Sequence, residues 1–234
     1  MTELVWEERI YAKGKHINRY PFGELVSLFF NARSQLKTDP ASPKTLLELG
    51  CGAGNNLWFF AENGFQCVGI DASETACQLA RTRLQERGVS AEVLCMNFDE
   101  LDNLKGQFDF IIDRAATYCA DFETRRRWWD KALRLLKPGG IVISVNFDKS
   151  SIWYQKSVSE PGFARQIAPD TFTDFAYGAL VDTGVSHFVD VDSLQALFAE
   201  LETLNILHHQ CNSVFLAESD YRYSELIYIG RKYG

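Results

Sequence analysis

The segment Leu46-Leu47-Glu48-Leu49-Gly50-Cys51-Gly52-Ala53-Gly54-Asn55-Asn56 decides how this chain is read. Leu46 to Leu49 is a short apolar run of the kind that forms a strand buried on both faces of a parallel sheet. Glycines at three alternate positions follow, and then a helical pattern from Asn55 to Asn63. Strand, glycine turn and helix together aim backbone N–H groups and the positive end of a helix at a ligand. Glycine is needed there because a side chain would hold the ligand off the backbone.

The spacing separates two nucleotide-handling families. Dinucleotide binders use G-x-G-x-x-G. Here Gly50 and Gly52 fit that pattern, but its third glycine position is Asn55. The chain instead carries acid-x-Gly-x-Gly-x-Gly, with Glu48 inside the strand. That resembles the first motif of class I S-adenosylmethionine (SAM)-dependent methyltransferases. SAM carries an ammonium and a carboxylate in place of a pyrophosphate, so an acid and free backbone groups suit it.

Working outward, the second strand Gln66-Cys67-Val68-Gly69-Ile70 ends on Asp71, 21 residues beyond Gly50. An acid about 20 residues after the glycine turn is placed to bridge ribose hydroxyls. Ser73 is free to cap the helix that follows, Glu74 to Glu86. Strand 3, Ala91 to Met96, leads into Asn97-Phe98-Asp99. In the resembled family this place holds the adenine. Asn97 or Asp99 is the polar contact and Phe98 the ring partner. Strand 4, Phe108 to Ile112, ends at Asp113-Arg114-Ala115-Ala116-Thr117-Tyr118. The resemblance puts Asp113 and Arg114 near the methionine end and Tyr118 toward the acceptor. Cys51, Asn55, Asn56 and Ala72 complete the expected cofactor neighbours, with Glu48, Gly50 and Gly52. Lys137-Pro138-Gly139-Gly140 reads as a helix stop and a turn into strand 5, Ile141 to Val145.

Before the motif, residues 1–40 are a preamble that, in the resembled family, often folds over the cofactor. His16-Ile17-Asn18-Arg19-Tyr20-Pro21 also looks like a segment of small bacterial methyltransferases that act on sugars and surface polysaccharides. Arg19 is a candidate partner for the SAM carboxylate, and Tyr20 a candidate for stacking. Beyond strand 5, residues 148–190 show weak periodicity and many turn residues, which reads as a cap inserted over the acceptor pocket. A helix from Val191 to Leu201 and strands at Leu204 to Phe215 and Ser224 to Gly230, joined near Glu218-Ser219-Asp220, close the chain.

The implied fold is α/β. Its seven-stranded, mostly parallel sheet has the order 3-2-1-4-5-7-6, with the last strand antiparallel and helices on both faces. Residues 1–234 make one domain. The implied reaction is in-line methyl transfer from SAM to a small-molecule acceptor: a sugar, an amine or a related metabolite. Where a base is needed, the candidates are His187, Tyr118 and Asp113, in that order. A protein or RNA methyltransferase and a non-catalytic SAM-binding protein stay open as alternatives.

Composition fits this reading. The chain has 234 residues and a net charge of −7, which disfavours a nucleic-acid partner. The basic run Arg125-Arg126-Arg127 is expected on the solvated face of a helix capped by Asp121. No apolar run is long enough to span a membrane, and the acidic N-terminus lacks a signal core, so a cytoplasmic protein is expected. The six cysteines form no C-x-x-C pair and the four histidines no helical ligand pair with carboxylates, so neither disulfides nor a metal is expected.

Overall fold

The computed structural model describes residues 5–39, 41–212 and 222–234. Its centre is a sheet of seven strands: β1 (Thr45–Leu49), β2 (Gln66–Asp71), β3 (Glu92–Cys95), β4 (Phe108–Arg114), β5 (Leu136–Phe147), β9 (Leu201–Asn212) and β10 (Arg222–Lys232). Their order across the sheet is β3-β2-β1-β4-β5-β10-β9. β10 runs antiparallel to both β5 and β9, and the other pairings are parallel. This is the expected order, with the last strand slotted between the fifth and the sixth.

Alternation along the central strands builds two cores. Leu46, Phe110, Ile112, Ile141 and Ile143 face one side, against α1 (Gly23–Arg33), α2 (Leu57–Glu62) and α3 (Glu74–Arg87). Leu47, Leu49, Ile111 and Val142 face the other, against α4 (Phe122–Arg134) and the later helix Val191–Leu197. Both faces of each central strand are therefore covered, which is why the strands read as continuous apolar runs. Ser73 caps α3 by accepting from the Ala76 N–H at 3.0 Å, and Asp121 caps α4 through the Thr124 N–H.

Three expectations need correction. Helix α2 starts at Leu57, two residues later than expected, because Asn55 and Asn56 belong to the turn. The quartet Lys137–Gly140 lies inside β5 as a bulge. The register jumps from Phe108↔Leu136 to Phe110↔Ile141, and Gly139 (φ +74°) accepts from the Lys37 N–H. Finally, Arg125 is fully buried, while Arg126 and Arg127 stay exposed. The reading of all three arginines as solvated fails at Arg125, whose guanidinium donates to Asn146 Oδ1.

The stretch after β5 has more structure than its weak periodicity suggests. It holds α5 (Ile152–Ser159) and an antiparallel three-stranded sheet, β6 (Arg165–Ala168), β7 (Thr171–Thr173) and β8 (Ser186–His187). Strands of two to four residues are too short to show a period. A third core of Phe163, Phe172, Phe175, Leu180 and Phe188 holds this unit to Tyr118 and Phe147. α6 (Val191–Leu197) follows. Phe215 and the expected turn near Glu218-Ser219-Asp220 lie outside the described residues.

Candidate active site

The carboxyl ends of β1, β2 and β4 open onto a cavity of about 630 Å³. Ligands of open α/β sheets bind at such an edge, where the strand order reverses. The glycine turn forms the cavity's floor. Gly50, Gly52 and Gly54 all take positive φ. A Cβ on Gly50 would stand 2.2 Å from Ala116 Cβ, and one on Gly52 would stand 2.5 Å from Tyr11 Oη. The turn is therefore pinched between the loop after β4 and the N-terminal segment. A Gly52→Ala variant is expected to displace Tyr11, cost about 1 kcal/mol of stability and weaken SAM binding about tenfold; calorimetric titration measures the second effect.

Glu48 sits beneath this turn, 2% exposed. Its Oε1 accepts from Asn56 Nδ2 at 2.7 Å, and its Oε2 has no partner among the described residues. Burial pushes its pKa up to about 8. Asn56 Oδ1 in turn accepts from the Phe22 N–H, and Asn55 Nδ2 donates to the Tyr20 carbonyl, so both asparagines tie the N-terminal segment to the turn. The folded protein holds the Glu48 proton between pH 4.5 and about 8, where the unfolded chain has lost it. Stability of the ligand-free protein should therefore fall as pH rises through that window. Melting curves at several pH values should show this fall, and Glu48→Gln should flatten it.

Asp71 ends β2 on the cavity wall. Its Oδ2 accepts from the Gly52 N–H and its Oδ1 from the Ser73 N–H, each at 2.9 Å. Burial raises its pKa to about 6 against these two donors. Asn97 caps a short 3-10 turn, Phe98–Asn103, with Glu100. The Phe98 ring reaches back to within 3.6 Å of the Gly50 Cβ position and meets Trp128 edge-on. Asp99 Oδ1 accepts from Trp128 Nε1 at 2.8 Å.

Of the residues expected at the site, Glu48, Gly50, Cys51, Gly52, Asn55 and Asn56 line the cavity. So do Asp71, Ala72, Asn97, Phe98, Asp99, Arg114 and Tyr118. Four are placed elsewhere. Arg19 and Tyr20 are exposed and do not line it; Tyr20 contributes its backbone carbonyl to Asn55. His187 lies on β8 away from the cavity, with Nδ1 on Thr171 Oγ1 at 2.8 Å, and burial pushes its pKa down to about 3. Asp113 is 1% exposed and accepts four hydrogen bonds from the loop after β4 and from Ser144. These placements argue against His187 and Asp113 as bases.

The N-terminal segment adds what the sequence reading did not single out. A π-helical turn at Trp6–Ile10 and a 3-10 turn at Tyr11–Lys13 dock on α3. Glu7 accepts there from Ser73 Oγ, Thr75 Oγ1 and the Thr75 N–H. This seats Trp6, Tyr11, His16, Asn18 and Phe22 on the cavity wall. On the same cavity, in the cluster that Trp6 packs against, Tyr118, Phe147, Trp153 and Tyr223 adjoin one another, with ring centroids 4.6 Å apart for Tyr118 and Phe147, 5.6 Å for Phe147 and Trp153, and 5.7 Å for Trp153 and Tyr223. Arg114 lies over the Phe22 ring at 4.0 Å and pairs with Glu225 at 3.0 Å and Glu24 at 3.2 Å. An aromatic residue every few positions is common in a core, so only tertiary placement distinguishes a wall from packing.

Residues 46–140 match the family model for a methyltransferase domain. Over 111 residues the chain is 32% identical to a 2-heptyl-1-hydroxyquinolin-4(1H)-one methyltransferase of Mycobacteroides abscessus, covering 45% of this chain and 47% of that one. The chain thus spans about half the length of that curated relative and of others it matches. Among solved structures, a SAM-dependent methyltransferase from Anabaena variabilis superposes with a TM-score of 0.68 at 16% identity, over 99% of this chain and 95% of that one. The 1,6-didemethyltoxoflavin-N1-methyltransferase of Burkholderia thailandensis superposes with a TM-score of 0.65 at 14% identity, over 96% and 84%. At such identities the superpositions speak for the fold, and the domain match speaks for the glycine turn and the strands around it. Residues 46–140 thus resemble a methyltransferase domain, and the sheet order and glycine turn give the chain the Rossmann-like α/β fold of the superposed methyltransferases.

Proposed function

We propose that the protein transfers the methyl group of SAM to a small, planar aromatic acceptor by in-line displacement. SAM is the cofactor of the methyltransferases this chain resembles, and the residues fit it. The floor glycines leave the space a Cβ would fill, and the Glu48 Oε2 beneath them lacks a partner among the described residues. Asp71 would hold the ribose, Asn97 with Phe98 the adenine, and the glycine turn with Glu48 the methionine end. The cofactor supplies a methyl carbon activated by its bond to a sulfonium sulfur. The chain's own work is to align acceptor and methyl, an effect that supplies a large part of such rates.

The observation that carries the acceptor class is the wall of four adjoining rings, Tyr118, Phe147, Trp153 and Tyr223, on the same cavity as the glycine turn. These rings, inclined at 57°, 69° and 79° to their neighbours, offer faces and edges that favour an aromatic ring over a sugar, whose hydroxyls each need a polar partner. The cavity's charged lining has two arginines, Arg114 and Arg127, against the acids Glu48, Asp71, Asp99 and Asp121. That balance supports a neutral acceptor over RNA. The names of the hydroxyquinolone and toxoflavin methyltransferases point to the same kind of acceptor. In this reading 1–234 is one domain. The N-terminal segment and residues 148–190 close over the acceptor from two sides, and Lys15 Nζ meets Asp182 Oδ2 across them at 3.2 Å. Among the described residues no helix is long and apolar enough to cross a membrane. The six free thiols support a reducing compartment such as the cytoplasm.

Incubation with methyl-labelled SAM and separate pools of hydroxyquinolines, phenols, thiophenols, sugars, protein and RNA tests this. Label in the aromatic pool with S-adenosylhomocysteine released is the expected result. Label confined to sugars, protein or RNA overturns the acceptor class. SAM binding with no turnover in any pool makes the protein a non-catalytic binder.

A further inference from the structure

We infer that His16, at the rim of the cavity, is the group that takes the proton from the acceptor as it is methylated. This rests on the methyl-transfer reading above. His16 lines the cavity, and its ring lies edge-on to Trp6 with centroids 5.8 Å apart. Its backbone is held in the left-handed region, φ +54°, where few residues other than glycine sit without support. That support comes from both the N-terminal segment and the inserted one. The Lys15 N–H donates to the Ile10 carbonyl, the Asn18 N–H donates to the His16 carbonyl, and Lys15 Nζ reaches Asp182 in the inserted segment. Among the described residues no group hydrogen-bonds the imidazole, so both ring nitrogens are available to a ligand.

The other titratable groups on the acceptor side are committed. Burial pushes the Tyr118 and Tyr223 hydroxyls up, and Tyr223 already donates to Glu225. Burial also holds the Cys119 thiol up at about 12. Arg114 is a permanent cation held between Glu225 and Glu24. Burial and then the charge of Lys15 push the His16 pKa down, so the ring is neutral and ready to accept a proton at neutral pH. Residue 16 is exposed at the rim, so a proton taken up there has a route to solvent.

In the step itself, a lone pair on the acceptor oxygen forms the new bond to the methyl carbon. The methyl–sulfur bond breaks with both electrons going to sulfur, which neutralises the sulfonium. The hydroxyl proton passes to an imidazole nitrogen of His16 and then to water.

The test compares a weakly acidic phenol with thiophenol, which is already ionised at mildly alkaline pH. His16→Asn and His16→Gln should lower kcat/KM for the phenol about 100-fold. They should leave thiophenol turnover and SAM affinity near wild type, which also shows that the variants fold. The acid limb of the wild-type pH profile for the phenol should vanish in both variants. An independent readout is the NMR titration of the His16 ring, whose pKa should shift when phenol is added to the complex with S-adenosylhomocysteine. Equal losses for both acceptors, an unchanged acid limb, or a ring that does not respond to bound phenol would overturn the assignment. A wild-type protein that turns over neither acceptor would overturn this inference, and the methyl-transfer reading falls with it only where the labelled-SAM incubation above also shows no turnover in any pool.

Discussion

Asp113→Ala is expected to cost the fold about 3–5 kcal/mol, the range for breaking a buried charge network by removing one partner. The carboxylate stands at the end of β4. Its Oδ1 accepts from the Ala116 N–H at 2.8 Å and the Thr117 N–H at 3.2 Å. Its Oδ2 accepts from Thr117 Oγ1 at 2.6 Å and Ser144 Oγ at 3.1 Å. Those bonds hold a turn in which Ala115 takes φ +49° and Ala116 packs on the Gly50 floor. Arg125 is also at stake. It is fully buried, its Nε and Nη1 have no partner among the described residues, and Asp113 is the carboxylate that offsets its charge. Burial already pulls the Arg125 pKa down to about 10. Without Asp113 the guanidinium loses the carboxylate that offsets its charge, and the turn loses four acceptor contacts. Urea unfolding followed by circular dichroism measures the loss. Asp113→Asn should cost less, because one oxygen still accepts from the turn. If Asp113→Ala unfolds like wild type yet is inactive, the residue is a reacting group and its role as a brace is refuted.

The same residue shows where reading the sequence stops. Glu48, Gly50, Gly52 and Asp71 were legible as cavity-lining residues because their places depend on local spacing: a buried strand, a turn without Cβ atoms and an acid at the next strand end. The sheet order was legible because strands covered on both faces leave continuous apolar runs. Asp113 was legible as a strand-end acid, but whether it faces the ligand or braces its own loop depends on Ser144 and Arg125, which are distant in sequence. Arg125 itself looked solvated because its neighbours Arg126 and Arg127 are. One position along a helix rotates a side chain by about 100°, enough to move it from solvent into the core. The places of the two histidines also depend on contacts distant in sequence. His187 falls in the inserted segment, but its strand turns it onto Thr171. His16 falls in a polar preamble without periodicity, and only the docking of Glu7 on α3 brings it to the cavity.

SAM affinity should drop about 30- to 150-fold in Asp71→Asn, equivalent to about 2–3 kcal/mol, the worth of a hydrogen bond to a charged group. Both carboxylate oxygens already accept from the backbone, at Gly52 and Ser73, which fixes the group at the strand end with its remaining lone pairs available to the cavity. An amide keeps one of those acceptors and turns an N–H toward the other donor. The fold should therefore lose only about 1 kcal/mol, while the site loses its charge. The pH dependence separates this role from a structural one. Burial lifts the Asp71 pKa to about 6, so the ligand-free site takes up a proton as pH falls below that value. A cofactor that engages the carboxylate must expel the proton. Affinity should therefore fall with decreasing pH, approaching about tenfold per unit, since one unit is worth 1.36 kcal/mol. Calorimetric titration between pH 5 and 8 should show that fall in the wild type and a flatter profile in Asp71→Asn. Equal affinities for the two proteins at pH 7.5 would remove Asp71 from the cofactor seat. A fall of the same steepness in both would assign the protonation to another group.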